Sequence, residues 1–363
     1  MPIPFTPVVQ ALPDTIPFIG PETLERKFGK PFIARIGANE SAFGISPLAV
    51  DAIKDNAGSL QCGWYADPEN FELRTLLSEK HAVSMDNLCV DAGIDSLLGL
   101  TVRLFVEPGT VMVTSTGAYP TVNYHANGYG ARIVSVPYKN HHEDTVALVE
   151  AAKAHKARLI YLANPDNPMG TCVSSDAIQA LIDELPEDCF LMLDEAYVEF
   201  MDQNASLPID SDDPRVIRFR TFSKAYGMAG MRIGYVIAHQ SVIAGFNRIR
   251  NHFGVNRLAQ LAAAASLQDT AFIPRVTELV KQGRQRIYEL ADSLSLSYLP
   301  SSTNFVAVDI QDHERADALI ASLASAGVFM RKPMVAPQSQ FIRVGVGTKQ
   351  EHEHLQSVLS QLV

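Results

Sequence analysis

The chain has 363 residues, enough for one large or two medium domains around a substantial core. Its 47% hydrophobic and 19% charged residues, with a mean hydropathy of +0.04, exclude a disordered or fibrous chain. A formal net charge of −10 argues against a broad nucleic-acid or anionic-membrane surface, while a few arginines gathered in one cleft would still suit a small anionic substrate.

The first thirty residues carry Pro2, Pro4, Pro7, Pro13, Pro17 and Pro21, which predicts an extended arm lying on another surface. A helix is entered at Ser46-Pro47 and continues over 51–56; another covers 71–81 after Asp67-Pro68. A strand at 88–90 turns at Ala92-Gly93 into a helix over 96–105. Further strands are expected at 110–114, 132–136, 159–162, 190–193, 216–220 and 233–237, with helices at 146–154 and 175–184 between them. This alternation predicts an α/β fold with a mainly parallel sheet covered on both faces. Beyond about residue 245 long helices follow at 256–268 and 273–293. A smaller α+β unit then has strands at 305–309 and 341–346 and helices at 315–326 and 350–362. The expected division is 1–45 as arm and part of a small domain, 46–249 as a large domain and 250–363 as the small C-terminal domain.

Cys62, Cys89, Cys172 and Cys189 are widely spaced with no Cys-x-x-Cys pair, which predicts reduced thiols in a cytoplasmic protein. The N-terminus has no basic n-region, and no apolar stretch approaches ~18 residues, so neither a signal peptide nor a membrane span is expected. His141-His142 and His352-Glu-His354 lack companions at ligand spacing, so solvated histidines rather than metal ligands are expected.

The most informative segment is Thr221-Phe-Ser-Lys-Ala-Tyr-Gly-Met-Ala-Gly-Met-Arg-Ile-Gly-Tyr235. Lys224 sits among small and apolar residues, where an amine loses its proton more easily than in water, as a Schiff-base lysine requires. Thr221, Ser223 and Arg232 supply hydroxyls and a guanidinium suited to a phosphate. An aldehyde-binding lysine beside a phosphate grip describes pyridoxal 5′-phosphate (PLP); a buried turn with a snorkelling lysine is the alternative.

Other segments bear on the same chemistry. Asn164-Pro-Asp-Asn-Pro-Met-Gly-Thr171 follows a strand, at the end where open α/β sheets bind ligands; Asn167 could donate to a phenolate oxygen, or the segment could be a plain turn. Phe190-Leu-Met-Leu-Asp-Glu-Ala-Tyr197 ends a strand in Asp194, which could keep a pyridine nitrogen protonated, with Tyr197 in reach of the phenolate; a helix cap or metal ligand is the alternative use of such an acid. In Val90-Asp-Ala-Gly-Ile-Asp-Ser96 the N–H groups of Ile94 and Asp95 would face an anion at a helix N-terminus, although Asp95 and Ser96 are also ordinary capping residues. Tyr119, in Gly117-Ala-Tyr-Pro120, could stack on a planar ring or belong to the core. Arg343 lies on a strand with little other charge, and Arg331 precedes Lys332 in a basic turn.

These segments, in this order, resemble the class I/II PLP-dependent aminotransferases of fold type I, and among them the histidinol-phosphate aminotransferase branch. The resemblance runs from Asn39 to Arg343 and so covers nearly the whole chain. It implies a seven-stranded, mainly parallel sheet in a large domain with helices on both faces, and a smaller α+β domain. It implies PLP bound to Lys224, with Asp194 at the pyridine nitrogen, Asn167 and Tyr197 at the phenolate, Tyr119 on the ring, and Ile94, Asp95, Thr221, Ser223 and Arg232 around the phosphate. Arg343 would receive the substrate's anionic end and Arg331 would add a second anion contact. Tyr65, in Tyr65-Ala-Asp-Pro68, would reach the phosphate of a neighbouring subunit, implying a homodimer with shared sites.

Three segments depart from the family pattern. Met169 stands where threonine is usual, and Gly93-Ile-Asp95 replaces the more frequent Gly-Ser-Asp. Gly37-Ala-Asn-Glu-Ser-Ala-Phe-Gly44 resembles the family's Asn-Glu-Asn-Pro-Tyr/Phe-Gly segment with its middle altered to Ser41-Ala42, and Phe43 lacks a hydroxyl that could meet a substrate phosphate. The expected reaction is amino transfer between an anionic amino substrate, such as histidinol phosphate, and a 2-oxo acid. An aromatic or broad-range aminotransferase and a decarboxylase of the threonine-phosphate type share the same cofactor residues. A PLP-binding regulator would need an added DNA-binding module and is not expected.

Overall fold

The structure is a computed structural model and describes residues 3–14, 18–58, 63–202 and 205–363; Pro2, Pro17 and Cys62 lie outside them. The N-terminal segment departs from the expected extended arm. It forms two short helices, α1 (Pro7–Gln10) and α2 (Pro21–Phe28), each with proline in its first turn, where the fixed φ favours the helix and the missing N–H removes no bond. After them comes the short strand β1 (Ala34–Arg35).

The next elements follow the predicted order closely. Helix α3 (Pro47–Ala57) is capped by Ser46, and α4 (Phe71–His81) has the predicted bounds. Strand β2 (Leu88–Asp91) leads into α5 (Ile94–Phe105), which begins two residues before the predicted start. The chain then runs through β3 (Val111–Ser115), α6 (Thr121–Gly128), β4 (Arg132–Val136), α7 (Thr145–His155), β5 (Leu159–Ala163) and α8 (Ser175–Asp183). It continues through β6 (Phe190–Asp194), β7 (Val216–Thr221), β8 (Gly234–Ile237) and α9 (Gln240–Ile249). Helix α6 was not expected. Its Asn123, Asn127 and Gly128 are poor helix formers, and it is held by close packing on α5, where a Cβ at Gly99 would lie 2.6 Å from the His125 ring.

Strands β2 to β8 form one seven-stranded sheet in the order β2-β8-β7-β6-β5-β3-β4. Only β8 is antiparallel to its neighbours. Strands β5 and β6 are apolar up to the Asp194 that ends β6 because both faces are covered. Leu159, Tyr161 and Met192 face one hydrophobic cluster, while Ile160, Leu162, Leu191 and Leu193 face another, as the period of two requires. Consequently the C-terminal ends of β5, β6 and β7 stop side by side, with Ala163 paired to Asp194 and Asp194 to Phe219.

The remainder comprises α10 (Arg257–Gln268), α11 (Phe272–Ser293), β9 (Ser297–Tyr298), β10 (Phe305–Asp309), α12 (His313–Ser325), β11 (Val328–Phe329), β12 (Phe341–Gly345) and α13 (Lys349–Leu362). Strands β12, β10 and β9 make an antiparallel sheet in that order. Strand β1 pairs in parallel with β11, Ala34 opposite Val328, so the N-terminal segment is tied to the C-terminal elements. Among the described residues no helix is long and apolar enough to cross a membrane. His352 is not solvated as expected: it is buried, accepts from the Gly347 N–H at 2.9 Å through Nε2, and burial lowers its pKa to about 4.

Candidate active site

A cavity of about 220 Å³ opens at the C-terminal ends of β5, β6 and β7. Ten of the predicted residues line it: Ile94, Asp95, Tyr119, Asn167, Asp194, Tyr197, Thr221, Ser223, Lys224 and Arg232. Their sequence separation is large, and parallel strands ending together bring them to one place.

Lys224 lies just beyond β7. Its Nζ donates to the Asn39 carbonyl oxygen at 3.1 Å and stands 5.5 Å from the Tyr197 ring centre. Asn39 also donates through Nδ2 to the Tyr197 hydroxyl at 2.9 Å, so that oxygen's proton is left to donate elsewhere. Asn39 has a left-handed φ of 54°, and its Oδ1 is buried without a partner. Asn304 Nδ2 holds the same Asn39 carbonyl from β10's approach at 3.2 Å.

Asp194, the last residue of β6, is 5% exposed. Its Oδ1 accepts from Ala196 N at 3.0 Å and its Oδ2 from the Tyr161 hydroxyl at 2.7 Å. Burial lifts this carboxyl to about 6, and the two hydrogen bonds oppose the rise. Tyr161 is itself pushed far up by burial and then by the Asp194 charge, so it stays a donor. Next in sequence, Glu195 is buried between Arg218 (3.5 Å) and Arg220 (2.9 Å), an ion triad beneath the strand ends that carry Asp194 and Thr221.

The opposite corner is built from backbone and hydroxyls. No side chain caps α5, which begins after Gly93 at φ 87°. A Cβ on Gly93 would lie 2.6 Å from Arg232 Nη2, so the arginine can approach the helix start only because that residue is glycine. Arg232 pairs with Asp95 at 3.3 Å and donates to the Ala229 carbonyl at 3.0 Å. Thr221 Oγ1 accepts from Ser223 N at 3.0 Å and donates to Ser223 Oγ at 2.9 Å. Tyr119 donates to Asp95 Oδ1 at 3.1 Å, and burial raises its phenol.

The remaining predicted residues do not line the cavity. Arg343 is half-buried directly behind it: Nη1 donates to Asn167 Oδ1 at 2.5 Å, which orients the Asn167 amide with its NH₂ free to donate. Its Nε is buried without a partner, and its guanidinium lies 5.3 Å from the Phe305 ring centre. Burial lowers its pKa. Arg331 donates to the Ile19 carbonyl at 2.9 Å and lies over the Phe18 and Phe329 rings. Phe43 is half-buried against the core. Tyr65 is 80% exposed and packs on Phe253 at 4.9 Å. Met169, in place of threonine, is fully buried, and its N–H caps Asp166 Oδ2.

Asn39, Tyr161, Glu40 and Asn304 were not singled out from the sequence. Tyr161 is concealed in an apolar strand, and Asn39 and Glu40 sit in a segment whose neighbours are known only from the fold. One signal was available for Tyr161: a phenol two residues before Ala163, the last residue of β5, shares the face of that cavity-lining residue.

The donor set fits a phosphorylated pyridine aldehyde. An uncapped helix start, two hydroxyls and Arg232 form a cradle that a single Cβ at Gly93 would fill. Across the cavity, buried Asp194 accepts only neutral donors, as suits a carboxylate awaiting a cationic ring nitrogen.

Residues 33–359 match the family described as aminotransferase class I and II. The chain is 32% identical to histidinol-phosphate aminotransferase of Moorella thermoacetica over 94% of its own length and 88% of that protein. It is 34% identical to histidinol-phosphate aminotransferase 2 of Hydrogenovibrio crunogenus over 91% and 88%. A crystal structure of histidinol-phosphate aminotransferase from Sinorhizobium meliloti, in complex with pyridoxal 5′-phosphate, superposes with a TM-score of 0.95 at 45% identity, covering 99% of this chain and 97% of that one.

Proposed function

Because this chain belongs to the class I and II aminotransferase family, we propose that it transfers the amino group of histidinol phosphate to a 2-oxo acid such as 2-oxoglutarate. The enzyme is a PLP-dependent aminotransferase. The observation that carries the reading is one cavity joining Lys224, Asp194 and the Gly93–Arg232 cradle, with Arg343 behind Asn167. The named activity of the relatives supports the choice of substrate.

When bound, PLP supplies an aldehyde that carries the amino group and a ring that accepts electron density as the substrate's Cα–H bond breaks. Every other task falls to groups of the chain itself. Lys224 Nζ holds the aldehyde carbon at rest and, once released, moves a proton between the substrate Cα and that carbon. The Asn39 carbonyl keeps the amine beside the Tyr197 ring. Asp194 holds the proton on the ring nitrogen, and Tyr161 fixes its Oδ2. Asn167 Nδ2 and the Tyr197 hydroxyl donate to the ring oxygen, each aimed by a neighbour that occupies its acceptor. Tyr119 covers the ring, while the α5 N–H groups, Thr221, Ser223 and Arg232 hold the phosphate. Arg343 receives the anionic end of both substrates by a bidentate contact. Arg331 adds a second cation when a substrate anion replaces the Ile19 carbonyl.

We read the assembly as a cytoplasmic homodimer. Trp64, Tyr65, Phe71 and Phe253 are exposed aromatic side chains outside the cavity, Tyr65 packed on Phe253, in keeping with Tyr65 serving a neighbouring subunit's phosphate. Residues 46–249 are read as the large domain and 250–363, joined by 1–45 through the β1–β11 pairing, as the small one.

A half-reaction screen tests the function. Histidinol phosphate should convert the bound cofactor to its amine form, and 2-oxoglutarate should restore it. Release of carbon dioxide instead, or faster conversion by phenylalanine, would replace the reading. Lys224→Ala should bind PLP without the visible band of the lysine-linked cofactor; persistence of that band would remove Lys224 from its role.

A further inference from the structure

Behind the Asn167 loop two further carboxyls are buried together. Glu143, just before α7, is 4% exposed, and Asp166, beside Asn167, is 2% exposed. Ser115 Oγ donates to Glu143 Oε2 at 2.6 Å, and Ala163 N donates to Oε1 at 2.9 Å. The Tyr138 hydroxyl donates to Asp166 Oδ1 at 2.8 Å, and Met169 N donates to Oδ2 at 2.9 Å. The two carboxyls also lie within hydrogen-bond reach of one another. Two acceptors facing each other in a dry interior are stable only with a proton between them.

We propose that Glu143 and Asp166 form a one-proton carboxyl pair that positions Asn167 and holds the charge beside Arg343 at minus one. They are positioning residues for amino transfer, and their role rests on the reading of Asn167 and Arg343 given above. Two tethers carry the effect. Asp166 closes the loop around Asn167, since its N–H donates to the Thr171 carbonyl at 2.8 Å and its carbonyl accepts from Gly170 N at 3.1 Å. Glu143 holds Ala163, the β5 residue paired with Asp194.

The groups facing the pair are few. Tyr138 stays a donor because burial pushes its phenol far up, and Tyr161 feels the Glu143 charge from β5. His141 lies on the same segment as Glu143, with its carbonyl taken by Thr171 Oγ1 and its ring on Phe341. Arg343 is the cation whose field reaches Asp166. Burial raises both carboxyls, and the Asp166 charge raises Glu143 further. Loss of the shared proton would place two negative charges behind the anion-binding arginine and drive the two carboxyls apart.

Two measurements on the PLP-loaded enzyme test this. The infrared spectrum at neutral pH should contain a buried carboxylic-acid C=O band that Glu143→Gln removes; if that variant does not fold, Asp166→Asn must remove the same band. The probe for the second is maleate, a dicarboxylate without an amino group, read by the cofactor's absorbance. Wild-type affinity should fall about fivefold or more as pH rises through the loss of the proton, whereas Glu143→Gln, which donates but cannot ionise, should stay level. An absent band, a band untouched by either substitution, or parallel pH curves for wild type and Glu143→Gln would overturn the pair. Maleate binding at no pH, with the band behaving as expected, would overturn the reading of Arg343 and the positioning role with it.

Discussion

Tyr161→Phe isolates one hydrogen bond with a calculable consequence. The Tyr161 hydroxyl is 2.7 Å from Asp194 Oδ2 and opposes the burial that lifts this carboxyl to about 6. A hydrogen bond to a charged group contributes about 1.5–3 kcal/mol, and about 1.4 kcal/mol corresponds to one pH unit. Removing it leaves only the Ala196 N–H on the carboxylate and should move its titration upward by about one to two pH units. At pH 7 the ionised fraction would fall from about nine-tenths to half or less. If, as proposed, an ionised Asp194 holds the ring nitrogen's proton, PLP affinity should fall as pH drops through about 6 in the wild type, and through a higher pH in the variant. Titrating apoenzyme with PLP across pH, followed by the visible band, reads both limbs. Superimposable curves for wild type and Tyr161→Phe would refute the assignment, because the substitution removes only the hydroxyl and leaves the buried ring in place.

Two other substitutions probe the scaffold. Gly93→Ala places a Cβ 2.6 Å from Arg232 Nη2 at a φ of 87° and should cost about 1–3 kcal/mol of stability. It should also weaken PLP binding about tenfold or more by displacing the arginine; a melting temperature and PLP affinity equal to wild type would contradict the cradle. Glu195→Gln removes the buried carboxylate that Arg218 and Arg220 share and should lower unfolding free energy in urea by about 3–5 kcal/mol. A loss below about 1 kcal/mol would mean that backbone carbonyls such as Leu207, which already accepts from Arg218, suffice.

Much of the fold was legible because its signals are local. The strands of the large sheet are short apolar runs bounded by turn residues, and Ser46, Asp144 and Ser174 cap the helices they precede. Helix α6 was not legible, because its stability comes from contact with α5 at Gly99 rather than from its own residues. The N-terminal prolines misled for a related reason: proline suits both an extended arm and a first helical turn, and only the following residues' packing decides between them.

The sequence by itself determined the chemistry on offer: an amine at Lys224, an acid ending a strand at Asp194, an amide at Asn167 and phosphate-suited hydroxyls near Arg232, each at the end of a recognisable element. Tertiary structure alone decided how these groups are aimed. Asn167 is turned by Arg343, Tyr197 by Asn39, and Asp194 by Tyr161, pairs separated by 176, 158 and 33 residues. The physical reason is that a side chain's type is written at one position, whereas its orientation and charge state depend on burial and on partners that long-range folding brings within hydrogen-bond distance.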